Sequence, residues 1–168
     1  YEALWRAGVT VDVVPPSADL SGYRLVLAPT LHLVTDATAA RLAGYAESGG
    51  HLLVTYFSGI VDENDHIRLG GYPGAFRAVL GVRTEEFFPL PPGATVTVHP
   101  VATSPAWTAS TWTELMSTTT AEAVAHYADG PLAGVPAVTV NAHGAGRAWY
   151  VATQLDPAAT AALLARVL

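Results

Sequence analysis

The chain has 168 residues, of which 51% are hydrophobic and 13% charged, and this composition fits one compact domain with a substantial core. Its 8 basic residues are all arginines, and its 14 acidic residues bring the net charge to -6, which argues against binding to nucleic acid or to an anionic membrane. The absence of cysteine excludes disulfides, thiolate metal ligands and cysteine nucleophiles.

The sequence contains neither a run of about 18 apolar residues that could cross a membrane nor a basic-then-apolar leader. A cytoplasmic location is the expectation, and the absence of cysteine is compatible with it. The segment Tyr1–Gly8 has the pattern of the last turns of a helix that is closed by a glycine. We therefore expect residues 1–168 to be a single domain excised from a longer protein.

Strand and helix patterns alternate in the first part of the chain. Val9–Val14 and Tyr23–Ala28 predict two strands, because both are rich in β-branched or large apolar residues. Thr35–Ser48 predicts a helix that is capped at its first residue, and the apolar run His51–Phe57 predicts a buried third strand. Apolar strands separated by helices are typical of an α/β fold with a mostly parallel sheet and helices on both faces.

The second part of the chain has a different texture. A short helix is predicted over Pro73–Leu80, with proline near its first turn. Five strand-like pieces, separated by Pro and Gly turns, then predict an antiparallel extension of the sheet: Val82–Phe88, Thr95–Val98, Thr111–Met116, Glu122–Tyr127 and Ala137–Asn141. His143–Gly146 predicts a hairpin turn into a strand over Arg147–Ala152. A final helix is predicted from Asp156 to Leu168.

The polar loop Thr55–Gly74 follows the third strand at its carboxyl end, where open α/β sheets place their ligands. Its segment Asp62–His66 combines several oxygen ligands with an imidazole, which invites a metal hypothesis. The EF-hand spacing fails, because its glycine position falls on Ile67 and its glutamate position on Pro73. An irregular metal site and a solvated or interface loop are the alternatives.

Hydrolytic chemistry finds little support in the motifs. A Gly-x-Ser-x-Gly elbow would place a nucleophile at Ser58, but the two glycine positions hold Tyr56 and Ile60. Glu85 and Glu86 are adjacent on a predicted strand and so point to opposite faces, which does not suit the facing carboxylates of a glycosidase.

Three stretches carry a resemblance to a known family: Tyr1–Val14, Ser58–Val82 and Gly146–Asp156. Together with the order of strands and helices between them, they resemble the middle domain of glycoside hydrolase family 42 β-galactosidases, often called the trimerisation domain. This resemblance implies a three-layer, flavodoxin-like α/β domain similar to class I glutamine amidotransferases. The Cys-x-Gly elbow of those enzymes falls on Phe57–Gly59, where phenylalanine replaces the nucleophile.

The same resemblance implies a non-catalytic role. The catalytic glutamates of the family belong to an N-terminal (β/α)8 barrel that is absent here, so we expect no catalytic residue, cofactor or metal in this chain. The implied partners are its own subunits, in a homotrimer, and the missing barrel. The candidate subunit-contact residues are Ile60, Asp62, Asn64, Asp65, Ile67, Arg68, Tyr72 and Phe76. The alternative is that this loop folds back on its own domain.

Two other classes of function stay open on the sequence alone. One is a stand-alone amidotransferase-like enzyme or small-molecule-binding domain that uses the loop carboxylates. The other is a carbohydrate-binding module that uses Trp107 or Trp112, which requires these rings to be exposed, whereas core packing is the more frequent use of tryptophan.

Overall fold

The computed structural model describes residues 1–102 and 105–168. In this part of the chain the helices are α1 (Glu2–Arg6), α2 (Asp36–Glu47), α3 (Arg77–Leu80) and α4 (Pro157–Val167). The strands are β1 (Leu25–Ala28), β2 (His51–Thr55), β3 (Val82–Pro89), β4 (Thr95–Pro100), β5 (Trp107–Ser110), β6 (Trp112–Thr118), β7 (Glu122–Tyr127), β8 (Pro136–His143), β9 (Gly146–Val151) and β10 (Gln154–Leu155).

The larger sheet has the strand order β1-β2-β9-β8-β7-β4-β5-β10, and β3 and β6 form a separate two-stranded sheet. The α/β class and the antiparallel extension are confirmed. The mostly parallel sheet is not, because among the described strands only β1–β2 and β2–β9 pair in parallel and the other neighbours are antiparallel. Close connections such as Gly144-Ala145 between β8 and β9 are too short for a crossover, so they impose antiparallel pairing.

The first predicted strand, Val9–Val14, is wrong. The segment belongs to no strand of the described sheets, and Val13 is 94% exposed. β-Branched residues form a strand only where a sheet edge pairs with them. Among the described strands, β1 lies at the edge of the larger sheet and pairs with β2 alone, so Val9–Val14 adds no strand there. The helix predicted over Pro73–Leu80 is shortened to α3, because residues 73–76 form turns.

The helix α2 has the predicted local signals. The Oγ1 atom of Thr35 accepts a hydrogen bond from the backbone N–H of Thr38, which caps the first turn. Gly49 follows the helix with φ of 112°, a conformation that glycine adopts without strain. Strand β2 then begins at His51. The strands β5 and β10 were not predicted, since they are short and pair with each other at the edge of the sheet.

The hydrophobic core lies on both faces of the larger sheet. Because neighbouring residues of a strand point to opposite faces, Leu53 and Trp149 join one cluster, with α1 and α4, while Leu52 and Tyr150 join the other, with α2 and α3. Trp107 is buried in the first cluster, with 7% of its surface exposed. Its ring is therefore not presented at the surface as a carbohydrate-binding module requires. None of the described helices is long and apolar enough to cross a membrane.

Candidate functional site

The chain turns sharply at the carboxyl end of β2, where it forms the elbow Tyr56–Gly59. Phe57 adopts a left-handed backbone conformation with φ of 58°. This conformation costs a non-glycine residue about 1 kcal/mol. Ser58 is fully buried, and its Oγ accepts a hydrogen bond of 2.9 Å from the N–H of Leu31. The elbow is therefore present as backbone geometry, but Phe57 places a half-buried benzyl group there and Ser58 serves as an acceptor inside the fold.

The loop that follows β1 lies against the elbow. Thr30 also has a left-handed conformation, with φ of 44°, and its N–H donates a 2.8 Å hydrogen bond to the Oγ1 of Thr55. The ring of His32 stacks on Phe57 with the ring centroids 4.8 Å apart. Left-handed backbone at two non-glycine residues, at the ends of two paired parallel strands, marks this edge of the sheet as a specialised region.

Five half-buried aromatic side chains surround the elbow, and we name them the aromatic cluster: Tyr56, Phe57, Tyr72, Phe87 and Trp112. Trp112 is central, because its ring centroid lies 4.9 Å from that of Phe57 and 5.1 Å from that of Phe87. Tyr72 packs on Phe87 at 4.6 Å. Each such contact contributes roughly 0.5–1.5 kcal/mol beyond the buried area. The cluster therefore fixes the β3–β6 sheet over the elbow.

A buried carboxyl group, that of Glu114 in β6, lies beneath the aromatic cluster with none of its surface exposed. Its Oε1 accepts hydrogen bonds from the N–H of Phe57 at 3.3 Å and from the Nε1–H of Trp112 at 3.0 Å. Its Oε2 contacts the hydroxyls of Thr84 at 3.0 Å and Tyr150 at 2.7 Å. One side chain thus joins the elbow, β3, β6 and β9.

The electrostatics of this buried group follow from its loss of water. Burial raises the pKa of Glu114, and the four hydrogen bonds oppose that rise only in part. Burial also raises the pKa of Tyr150 well above its usual value, as it raises that of Tyr127 on β7. Both tyrosines are therefore neutral hydroxyl groups in the folded chain. One signal of this site is visible in the sequence: an acidic residue inside the otherwise uncharged strand Trp112–Thr118.

The loop after the elbow is organised around Asp62. Its Oδ1 accepts hydrogen bonds from the N–H groups of Asn64 at 2.8 Å and His66 at 3.0 Å. These hydrogen bonds, that from His66 first, hold the pKa of Asp62 below its usual value. The carboxylate is thus used to shape the loop. Within the described residues there is no group of three or more His, Cys, Asp or Glu side chains that could hold a metal ion.

Arg68 ties the same loop to helix α2. Its guanidinium forms an ion pair of 2.7 Å with Asp36 in the first turn of that helix and donates a 2.6 Å hydrogen bond to the carbonyl of Val34. The side chain of Arg68 is 19% exposed and that of Asp36 90% exposed. The arginine therefore anchors the loop to its own domain, which leaves the loop tip as the part that faces outward.

The predicted contact residues divide by their exposure. Asn64, Asp65 and Ile67 are exposed, with Ile67 at 59%. Asp62, Arg68 and Tyr72 are half-buried, whereas Ile60 and Phe76 are buried at 5% and 0% in their own domain. Leu69, which was not among the predicted residues, is 87% exposed. The structure therefore brings the eight residues into one loop region but turns two of them inward.

An open cleft of about 670 Å³ lies at the opposite end of these strands, next to the first residues of β1 and β2. It is lined by Arg24, Arg41, Tyr45 and His51 among others. Ligands of open α/β sheets bind at the carboxyl ends of the strands, so this cleft lies at the other end from the elbow.

The fold and the site together define a class of protein: a mixed α/β domain with Phe57 at the elbow that follows β2. The family model for the β-galactosidase trimerisation domain matches residues 1–168. A β-galactosidase from Arthrobacter sp is 48% identical over 168 residues, which are 100% of this chain and 24% of that protein. A β-galactosidase from Heyndrickxia coagulans is 40% identical over 169 residues, 100% of this chain and 25% of that protein.

Solved structures of β-galactosidases also match this chain. The β-galactosidase from Bacillus circulans sp. alkalophilus superposes with a TM-score of 0.96 at 32% identity, over 99% of this chain and 25% of that one. The enzyme from Halorubrum lacusprofundi superposes with a TM-score of 0.93 at 38% identity, over 99% and 25% of the two chains. The chain belongs to the trimerisation-domain family of glycoside hydrolase family 42 β-galactosidases. It spans about a quarter of the length of the curated relatives it matches.

Proposed function

We propose that this chain is the non-catalytic oligomerisation domain of a β-galactosidase that removes terminal β-D-galactosyl residues. Residues 1–168 form one domain of that longer protein, and its catalytic (β/α)8 barrel lies elsewhere in the sequence. The relatives support this proposal, because they carry the name β-galactosidase and are about four times as long as the matched region. A cytoplasmic location and a homotrimeric assembly belong to the same proposal.

The observation that carries the non-catalytic assignment is Phe57 at the elbow. In amidotransferase-like folds this position presents the nucleophile, and a phenylalanine has no atom that can attack a carbonyl. The backbone of Phe57 is left-handed although its side chain offers no nucleophile. We infer a flavodoxin-like, three-layer arrangement for the part of the domain in which β1, β2 and β9 pair in parallel. A stand-alone amidotransferase-like enzyme is not supported.

The contact surface in this proposal is the loop Ser58–Gly74. Its tip exposes Ile67 and Leu69, at 59% and 87%, beside the polar residues Asn64 and Asp65. Apolar side chains inside a polar rim are typical of protein–protein contacts. The anchoring of Arg68 to Asp36 keeps this tip in place before a partner arrives, which lowers the entropy cost of association. Ile60 and Phe76 support the loop from inside.

The test of the assembly role uses the double variant Ile67→Asp/Leu69→Asp in the full-length protein. Light scattering after size exclusion measures the mass of the assembly, and we expect the variant to shift from a trimer to smaller species. The control is Val13→Asp, which adds charge at a residue that is 94% exposed and lies outside the loop. A variant that stays trimeric, or a control that also dissociates, would overturn the assignment of the contact to this loop.

The test of the non-catalytic role measures hydrolysis of a chromogenic galactoside by residues 1–168 alone. We expect no turnover above the uncatalysed rate, because in the part of the chain that the structure describes the carboxyl group at the elbow, that of Glu114, is buried and hydrogen-bonded, whereas a glycosidase needs two facing carboxylates. Turnover that persists through purification to homogeneity would contradict the proposal. Deletion of residues 1–168 from the full-length protein should leave a barrel that is folded but no longer assembled into a trimer.

A further inference from the structure

The hydrogen-bond partners of Glu114 are of two chemical kinds, and they are sorted between its two oxygens. Oε1 meets the backbone N–H of Phe57 and the indole N–H of Trp112, which can only donate. Oε2 meets the hydroxyls of Thr84 and Tyr150, which can donate or accept. Oε1 must therefore be an acceptor, whereas Oε2 can carry a proton and donate it to either hydroxyl. The neutral acid keeps all four partners.

The charges around the group do not favour the carboxylate. The titratable groups that face it are Tyr150 from β9 and Tyr127 from β7, whose hydroxyl lies 3.4 Å from the N–H of Glu114. The elbow and β3 contribute an amide and a hydroxyl, neither of which carries charge. In residues 1–102 and 105–168 no arginine or histidine forms an ion pair with Glu114. A buried carboxylate without a cation pays a large desolvation penalty.

We propose that Glu114 is a proton-binding site of the folded chain. At about pH 7 its carboxyl group is neutral, the proton lies on Oε2, and in this form the side chain clamps the elbow to β6. The O–H on Oε2 donates a hydrogen bond to the oxygen of Tyr150 or Thr84, and the other hydroxyl donates to Oε2. This proposal concerns the domain itself and does not depend on its role in assembly.

The direct test is a pH titration of the native chain, followed by the carboxyl carbon of Glu114 in nuclear magnetic resonance spectra of ¹³C-labelled protein. We expect its chemical shift to be that of a protonated acid at pH 7 and to change only as the pH rises above that value. The exposed Glu86 on β3 is the internal reference. A Glu114 signal that is already that of a carboxylate at pH 7 would overturn the proposal.

A second test compares the native chain with Glu114→Gln, whose amide matches the neutral acid. With its amide oxygen toward Phe57 and Trp112 and its NH₂ toward the two hydroxyls, glutamine makes the same four contacts. We expect equal urea midpoints below the pKa of an unfolded glutamate, about 4.3. As the pH rises from there to 7 and above, the native chain should lose stability relative to the variant, because its folded state keeps a proton that the unfolded state has released.

The control is Glu86→Gln, which changes the same functional group at an exposed position and should not alter the pH dependence. An ionised Glu114 would instead make the glutamine variant less stable than the native chain at pH 7, since charge-assisted hydrogen bonds would be lost. That result, or a variant that does not fold, counts against the proposal. The titration of the native chain decides independently of any variant.

Discussion

The backbone N–H of Phe57 donates a hydrogen bond to the Oε1 of Glu114 over 3.3 Å, and the two residues are 57 positions apart in the chain. This contact joins a strained turn of the larger sheet to a strand of the smaller sheet. The contact stabilises the left-handed turn, because the backbone amide of Phe57 donates its hydrogen bond to a buried acceptor. The elbow has thus become a packing element, with the aromatic ring of Phe57 above it and the carboxyl group below.

We predict an inverted order of glycine and alanine at this turn. Phe57→Ala loses the stacking of the ring and should cost about 2 kcal/mol, less than a fully buried phenylalanine would. Phe57→Gly loses the same ring but adopts the φ of 58° freely, so it should be more stable than the alanine variant by about 1 kcal/mol. Urea denaturation measures both values.

The control for this comparison is Ala40→Gly, at an exposed position within α2. In a helix glycine is worse than alanine, so this variant should be less stable than the native chain by about 1 kcal/mol. The same pair of residues thus has opposite effects at the two sites. If alanine were the more stable residue at both positions, the left-handed elbow would not be a feature of the folded chain in solution.

The indole of Trp112 should contribute through its N–H as well as through its ring. Trp112→Phe keeps most of the aromatic packing but removes the donor to Oε1 of Glu114, which should cost about 1 kcal/mol beyond the loss of area. Trp5→Phe is the matched control, since that ring is 65% exposed. Equal urea midpoints for the two variants would show that the indole N–H adds nothing to stability.

The loop around Asp62 should be sensitive to acid. Hydrogen bonds from His66 and Asn64 lower the pKa of this carboxyl, so its stabilising effect is present above the unfolded-state pKa and is lost as the pH falls through the lower, folded-state value. We expect Asp62→Ala to speed amide hydrogen exchange at Asn64 and His66 at neutral pH. The native loop should approach the exchange rates of the variant in acid.

Glu63→Ala is the control for this experiment, because it removes a neighbouring carboxylate that is exposed. Its amide exchange should match that of the native chain at every pH. Exchange that is equally fast in both variants would mean that the loop responds to total charge and not to the two hydrogen bonds that Asp62 accepts.

Local signals explain what could be predicted from the sequence. Helix α2 lies within one residue of its predicted ends, since its cap at Thr35 and the glycines after it act over a few residues. The hairpin after His143 is set by an equally short turn. The strand at Val9–Val14 failed for the opposite reason: its residues suit a strand, but whether a sheet receives them depends on distant parts of the chain.

The site was predictable in position but not in composition. The carboxyl end of β2 was expected to be special, and the elbow and aromatic cluster are there. Glu114 could not be assigned to it, because its partners come from Phe57, Thr84 and Tyr150, on three elements that the sequence does not place side by side. Ile60 and Phe76 were expected to offer contact area, and only the packing of the loop turned them inward.

The last prediction concerns the contact between β9 and the end of helix α2. A Cβ atom on Gly146 would lie 2.2 Å from the carbonyl oxygens of both Ala46 and Gly50, and neither backbone group can move without shifting β2 or α2. Gly146→Ala should therefore cost about 1–3 kcal/mol, as overpacking does in other cores. Gly22→Ala is the control, because nothing lies within 4 Å of its Cβ position. There the smaller entropy of the unfolded chain should leave stability unchanged or slightly raised. Similar urea midpoints for the two variants would mean that β9 does not approach α2 this closely.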